Sequence, residues 1–207
     1  MRKARLARTD REAFNLVLGR LEGDVGGLLA LLLASWRSAS TESKIPDLTP
    51  FWAFARMLFP IAESIGDLIY RNDSLTVMNL TSILEKEFER VRPGYKGKAN
   101  VVAQMYRHSL THTDEMRALY YPRRTITWKL SLDEAADHLK VRKLARGRKQ
   151  LQFDLTAFYE DVRQVCLTAR GGKWGRKVAQ RYNGWLLLKL NINKKAHQDA
   201  INEIKTL

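Results

Sequence analysis

Between Phe14 and Leu110 the apolar residues of this chain return every three or four positions, a period that suits a helix and not a strand. Phe14, Val17, Leu18 and Leu21 fall on one helical face. Phe51, Phe54, Met57, Leu58, Ile61, Ile65 and Ile69 repeat the pattern, and Val102, Met105, Tyr106 and Leu110 repeat it again. The punctuation agrees. Thr9 or Asp10 caps a helix whose Glu12 supplies the capping-box acid, and one long helix or two abutting ones run to residue 36, with a break or bend at Gly26-Gly27. Residues 38–48 read as a polar loop. Thr49-Pro50 starts the next helix, which Pro60 is expected to kink. A third helix, capped by Asp73 or Ser74, runs to Arg90 and is closed by Pro93-Gly94; a fourth spans 99–119.

The period changes at Tyr121-Pro122. Residues 125–130 alternate polar with apolar and read as a strand. Residues 151–155 alternate likewise and are expected to pair with them, with a short helix and a basic loop between. Helices follow over 156–169, 174–190 and from Lys194 onward. The predicted fold is mainly α: a helical bundle over 1–170 with a small two-stranded β-ribbon at about 123–155, then a basic C-terminal helical extension over 171–207.

Charge narrows the partner. Thirty-six Lys and Arg stand against 22 Asp and Glu, a net charge of +14 with a pI near 10.1. A field of that size attracts phosphate backbones or anionic lipid, and RNA is the first expectation; the alternative is a merely solubilising surface. The lone cysteine, Cys166, excludes an internal disulfide and lies in an apolar helical pattern, which predicts a buried thiol and a reducing, cytoplasmic setting. The longest apolar run, 25–36, is shorter than the about 20 residues a bilayer span needs. The acids before it argue against a secretory signal, so a buried helix segment is expected and no transmembrane one.

Two basic clusters stand out. Lys140, Arg142, Lys143, Arg146, Arg148 and Lys149 occur within ten residues without an acid. Lys173, Arg176 and Lys177, with Arg170 and Arg181, are interleaved with Trp174 and Tyr182. Cations fix phosphates and exposed aromatics stack on bases, so both clusters are candidate nucleic-acid contacts. The alternatives are a solvated face for the cations and a core position for Trp174 and Trp185.

The segment with most chemistry is Tyr106-Arg107-His108-Ser109-Leu110-Thr111-His112, followed by Thr113-Asp114-Glu115. Arginine offers a planar fork that matches a phosphate, and histidine exchanges protons near neutral pH. A base, a cation and an acid suffice to cleave RNA without a metal. On a regular helix Arg107 and His112 lie about 140° apart, so a distorted helix or a second copy of the chain is needed to bring them together; His108 and His112 share a face. A structural reading pairs Arg107 with Asp114 or Glu115, and a metal reading uses His108 and His112 with Asp114 or Glu115 as a third ligand, without a distal Cys or His partner.

Arg107-His108-Ser109-Leu110-Thr111-His112 resembles the R-x4-6-H motif of the HEPN superfamily, with an aromatic before the arginine, an aliphatic three after it and a tryptophan-bearing strand downstream. The resemblance covers the layout of residues 51–169. It implies a dimerising helical bundle and, in active members, metal-independent RNA cleavage without a cofactor, in a toxin, defence or stress setting with an antitoxin or other protein partner. It places the catalytic arginine at Arg107, the histidine at His112 and the intervening polar residue at His108. Other members are non-catalytic nucleotide-, nucleic-acid- or protein-binding modules.

Overall fold

A computed structural model describes residues 6–42, 49–70, 76–106, 118–122, 124–174, 177–186 and 195–206. Helix α1, Asp10–Arg20, opens on the expected cap: the Thr9 hydroxyl accepts from Glu12 N–H at 3.1 Å, and the Glu12 carboxylate reaches back to Arg8 N–H at 2.9 Å. A π-helical turn, Leu21–Val25, leads directly into α2, Gly26–Glu42. The glycine pair therefore does not break the helix. A Cβ at Gly26 would lie 2.6 Å from the Tyr159 hydroxyl, so the glycine lets another helix approach. The apolar run 25–36 is only partly buried: Leu29 and Leu32 face the core while Leu31 is 71% exposed. Residues 38–42, expected in a loop, are helical.

Helix α3, Thr49–Tyr70, starts at Thr49-Pro50 and continues through Pro60. It crosses α4, Thr76–Ile83, at Gly66, where a Cβ would meet the Asn79 carbonyl oxygen at 2.5 Å. A second π-turn, Leu84–Phe88, joins α4 to the short α5, Glu89–Val91. Arg92 is then extended (φ −140°, ψ 114°), as the residue before a proline prefers. Helix α6 covers Ala99–Met105. The helix expected to reach residue 119 does not, because Leu119 already belongs to a strand.

The two-stranded ribbon is corrected to a four-stranded mixed sheet. Its strands are β1 (Leu119–Tyr121), β2 (Arg124–Ser131), β3 (Val141–Lys143) and β4 (Arg148–Asp154), in the order β1-β2-β4-β3. The two alternating segments do pair, but in parallel, Thr125 opposite Arg148 through Ser131 opposite Asp154. A parallel pair needs a crossover. Residues 132–147 supply it, and they contain a 3-10 turn (Ala135–Asp137), β3 and a second 3-10 turn (Ala145–Gly147) where a helix and a basic loop were expected. Strands β1 and β3 close the edges antiparallel. Helix α7, Leu155–Arg170, follows β4 directly, capped by the Asp154 carboxylate on Ala157 N–H at 2.8 Å.

The core lies where helices meet the sheet. Phe59 of α3 stacks on Tyr106 at 4.7 Å and packs against Phe158 of α7 at 4.7 Å and Phe153 of β4 at 5.5 Å, with Trp128 of β2 behind. Cys166 is buried as expected, and burial pushes its thiol up to about 12. Helix α8, Lys177–Trp185, is stitched to the helical layer: Ala179 N–H donates to Asp10, Arg181 donates to the Leu68 and Ile69 carbonyls that end α3, and Asn183 exchanges two hydrogen bonds with Ala7. Helix α9 covers Lys195–Thr206. No helix among the described residues is long and apolar enough to cross a membrane.

Candidate nucleic-acid interface

The catalytic candidates Arg107, His108 and His112 lie outside the described residues, as does Arg176. Their neighbours in the chain are placed: Tyr106 follows the last residue of α6 and lies in the aromatic core, and Leu119 begins β1.

The first basic cluster is brought together on one hairpin. Lys140 precedes β3, Arg142 and Lys143 lie on it, Arg146 sits in the turn with φ +57°, and Arg148 and Lys149 begin β4. All six are exposed. Lys140, with Arg142, pairs with Asp137 and holds its carboxyl below the usual range. Lys143, Arg146 and Lys149 make no ion pair among the described residues, and all three are exposed. Cations on an edge strand also discourage pairing with another sheet.

Register shows which residues share a face, since side chains alternate along a strand and align across it. Leu119 is opposite Ile126, Ile126 opposite Lys149, and Lys149 opposite Lys143. Tyr121 is opposite Arg124, two residues from Leu119 and Ile126, and so joins the same face. Further along the strands this face carries Trp128, Leu151 and Phe153 beneath the helices. At the end where β2 and β4 begin it emerges from that cover. There a groove of about 600 Å³ opens, floored by Val101 and Ile126 and bordered by Tyr120, Tyr121, Arg124 and Lys149. Tyr120 and Tyr121 are 75% and 72% exposed.

No protein-family model, no curated protein and no solved structure matches the chain.

The second cluster is arranged differently. Lys173 and Lys177 are exposed, but Arg181 is spent on α3 carbonyls, and Arg170 is directed at Asn15. Its aromatics turn inward: the Trp174 indole donates to Ala169 at 2.8 Å and Tyr182 is buried. Trp174 thus takes the packing role, and Trp185 donates to Asp67 at 2.9 Å. The tyrosines and Arg124 escaped the sequence reading, although Tyr120-Tyr121-Pro122-Arg123-Arg124 stands directly before the alternating strand and combines rings with cations.

Opposite the cationic end, a buried polar network ties the sheet to α7. His138 Nδ1 accepts the Asp154 N–H at 3.0 Å, which puts the ring proton on Nε2, 2.9 Å from the Tyr95 hydroxyl. That hydroxyl donates to Asp161 at 2.8 Å, and Arg92 Nε donates to both Asp161 oxygens at 3.0 and 2.8 Å. Burial, then the Arg92 charge, lowers His138 to about 3. Burial raises the Asp161 carboxyl, against the pull of Arg92 and Tyr95.

The sign follows. Below about 6.5 the unfolded chain takes up a proton at His138 that the folded chain refuses until about 3. Stability is full above that window and falls as pH drops through it, by roughly 1.4 kcal/mol per pH unit. Asp161 acts in the opposite sense at the acid end. Urea unfolding at pH 7 and pH 4.5 is expected to show the loss, and His138→Gln is expected to flatten it; identical profiles would remove His138 as the cause.

Proposed function

We propose that the chain is an RNA-binding protein whose cationic sheet end grips the phosphate backbone, and that Arg107 and His112 cleave the bound strand without a metal. The observation that carries the binding reading is the gathering of Lys143, Arg146, Arg148 and Lys149 on one exposed hairpin beside a groove bordered by Arg124 and two tyrosines. Such a surface neutralises several phosphates at once, and the net charge of +14 adds a long-range pull on a polyanion.

The cleavage part rests on the sequence. His112 takes the 2′-hydroxyl proton, the 2′ oxygen attacks phosphorus, and the P–O5′ bond breaks. Arg107 holds the phosphate charge. The leaving oxygen takes a proton from His108 or from water. A second copy of the chain completing this site, an antitoxin or other protein partner, a toxin, defence or stress role and a cytoplasmic setting accompany the HEPN resemblance. Binding without cleavage is the second reading, favoured by a cationic surface that needs none of the three catalytic candidates.

The experiment uses the purified full chain with single-stranded RNA in EDTA and reads retention and products together. Wild-type protein is expected to bind and cleave. His112→Ala and Arg107→Ala are expected to bind alike but to cleave at least about 100-fold more slowly. Equal cleavage by all three would remove the catalytic assignment, and no binding by the wild type would remove the whole reading.

A further inference from the structure

We infer that the groove between α6 and the cationic end of the sheet is a docking site for an unpaired base, with Tyr121 as its stacking platform and Arg124 and Lys149 holding the adjoining phosphates. This rests on the RNA-binding reading above and narrows it to single strands.

Three observations lead there. A stacking platform needs a ring that solvent can reach, and this strand of three residues presents two tyrosines in succession, each more than two-thirds exposed. Tyr121 is directly opposite Arg124 and on the same face as Lys149 and Lys143, so one ring and three cations are spread across four strands, roughly 14 Å. Beside the ring the groove is lined by the apolar Val101 and Ile126, and its volume of about 600 Å³ lies within the range of small-molecule sites.

The chemistry of that set points to a splayed-out nucleotide. A base offers a flat apolar face that a tyrosine ring and an aliphatic floor can sandwich, while its phosphates require cations a few ångströms away. Paired bases hide those faces in the stack, so a duplex reaches the cations but not the ring. A free nucleotide reaches the ring but brings few phosphates to the hairpin.

The test measures binding of one fluorescent oligoribonucleotide, alone and annealed to its complement, to wild type, Tyr121→Ala and Tyr121→Phe. Tyr121→Ala is expected to weaken single-strand binding roughly 5- to 100-fold and leave duplex binding unchanged. Tyr121→Phe, which keeps the ring, is expected to bind as wild type. An unlabelled mononucleotide is expected to compete only at far higher concentration than the oligomer. Unchanged single-strand binding by Tyr121→Ala, an equal loss on duplex, an equal loss in Tyr121→Phe, or competition by the mononucleotide at the oligomer's own concentration would overturn the inference while leaving the cationic hairpin as an RNA contact. Failure of the wild type to bind any RNA would overturn both.

Discussion

Asp161→Ala is expected to destabilise the protein by about 3 kcal/mol, the lower end of what breaking a buried ion pair costs. The carboxylate is 3% exposed and is the acceptor for both Arg92 and the Tyr95 hydroxyl. Without it the guanidinium keeps its charge with no counterion, although its 37% exposure lets water relieve part of the penalty and sets the estimate at the low end. Tyr95, fully buried, is left facing only the proton of His138. Because these four side chains join α7 to the turn after α5 and to the crossover before β3, the loss loosens the attachment of the sheet to the helices. Exposed pairs such as Lys129–Glu134 are worth under about 1 kcal/mol by comparison. Against a total stability of about 5–15 kcal/mol, the change is large enough to read from the urea midpoint. Asp161→Asn, which keeps one acceptor, is expected to fall between; a midpoint for Asp161→Ala indistinguishable from wild type would mean that the network does not bear on folding.

How much of this was legible in the sequence depends on whether the cause was local. Helix starts and stops were legible because they are set by a few adjacent atoms: Thr9 with Glu12, Thr49-Pro50, and Arg92 before Pro93 all behave as their chemistry requires. Strands β2 and β4 were legible through alternation. Their parallel direction was not, since it is decided by the route of residues 132–147, where β3 is entirely exposed and carries no apolar pattern. Strand β1 is three residues long with two tyrosines in solvent, so periodicity does not reveal it. It also keeps the preceding helical pattern from including Leu119. The cationic hairpin was visible as a run of charge. The tyrosine platform beside it was not, because an exposed ring has no periodic partner, and only the register of β1 on β2 brings Tyr121 opposite Arg124. His138 and Asp161 are 23 residues apart in sequence and meet only through the fold.

The central claim, that the hairpin end of the sheet is an RNA contact, is tested most directly by the salt dependence of binding. Each phosphate contact with a single strand adds about 0.7 to the slope of log affinity against log salt. A variant with Lys143, Arg146, Arg148 and Lys149 all changed to alanine removes four such contacts. It touches only exposed side chains, so the fold is expected to persist, which circular dichroism checks. The predicted result is a slope flatter by about 3 and an affinity at low salt reduced on the order of 100- to 1,000-fold, with a smaller change for Lys173→Ala combined with Lys177→Ala. An unaltered slope and affinity in the hairpin variant would contradict the account.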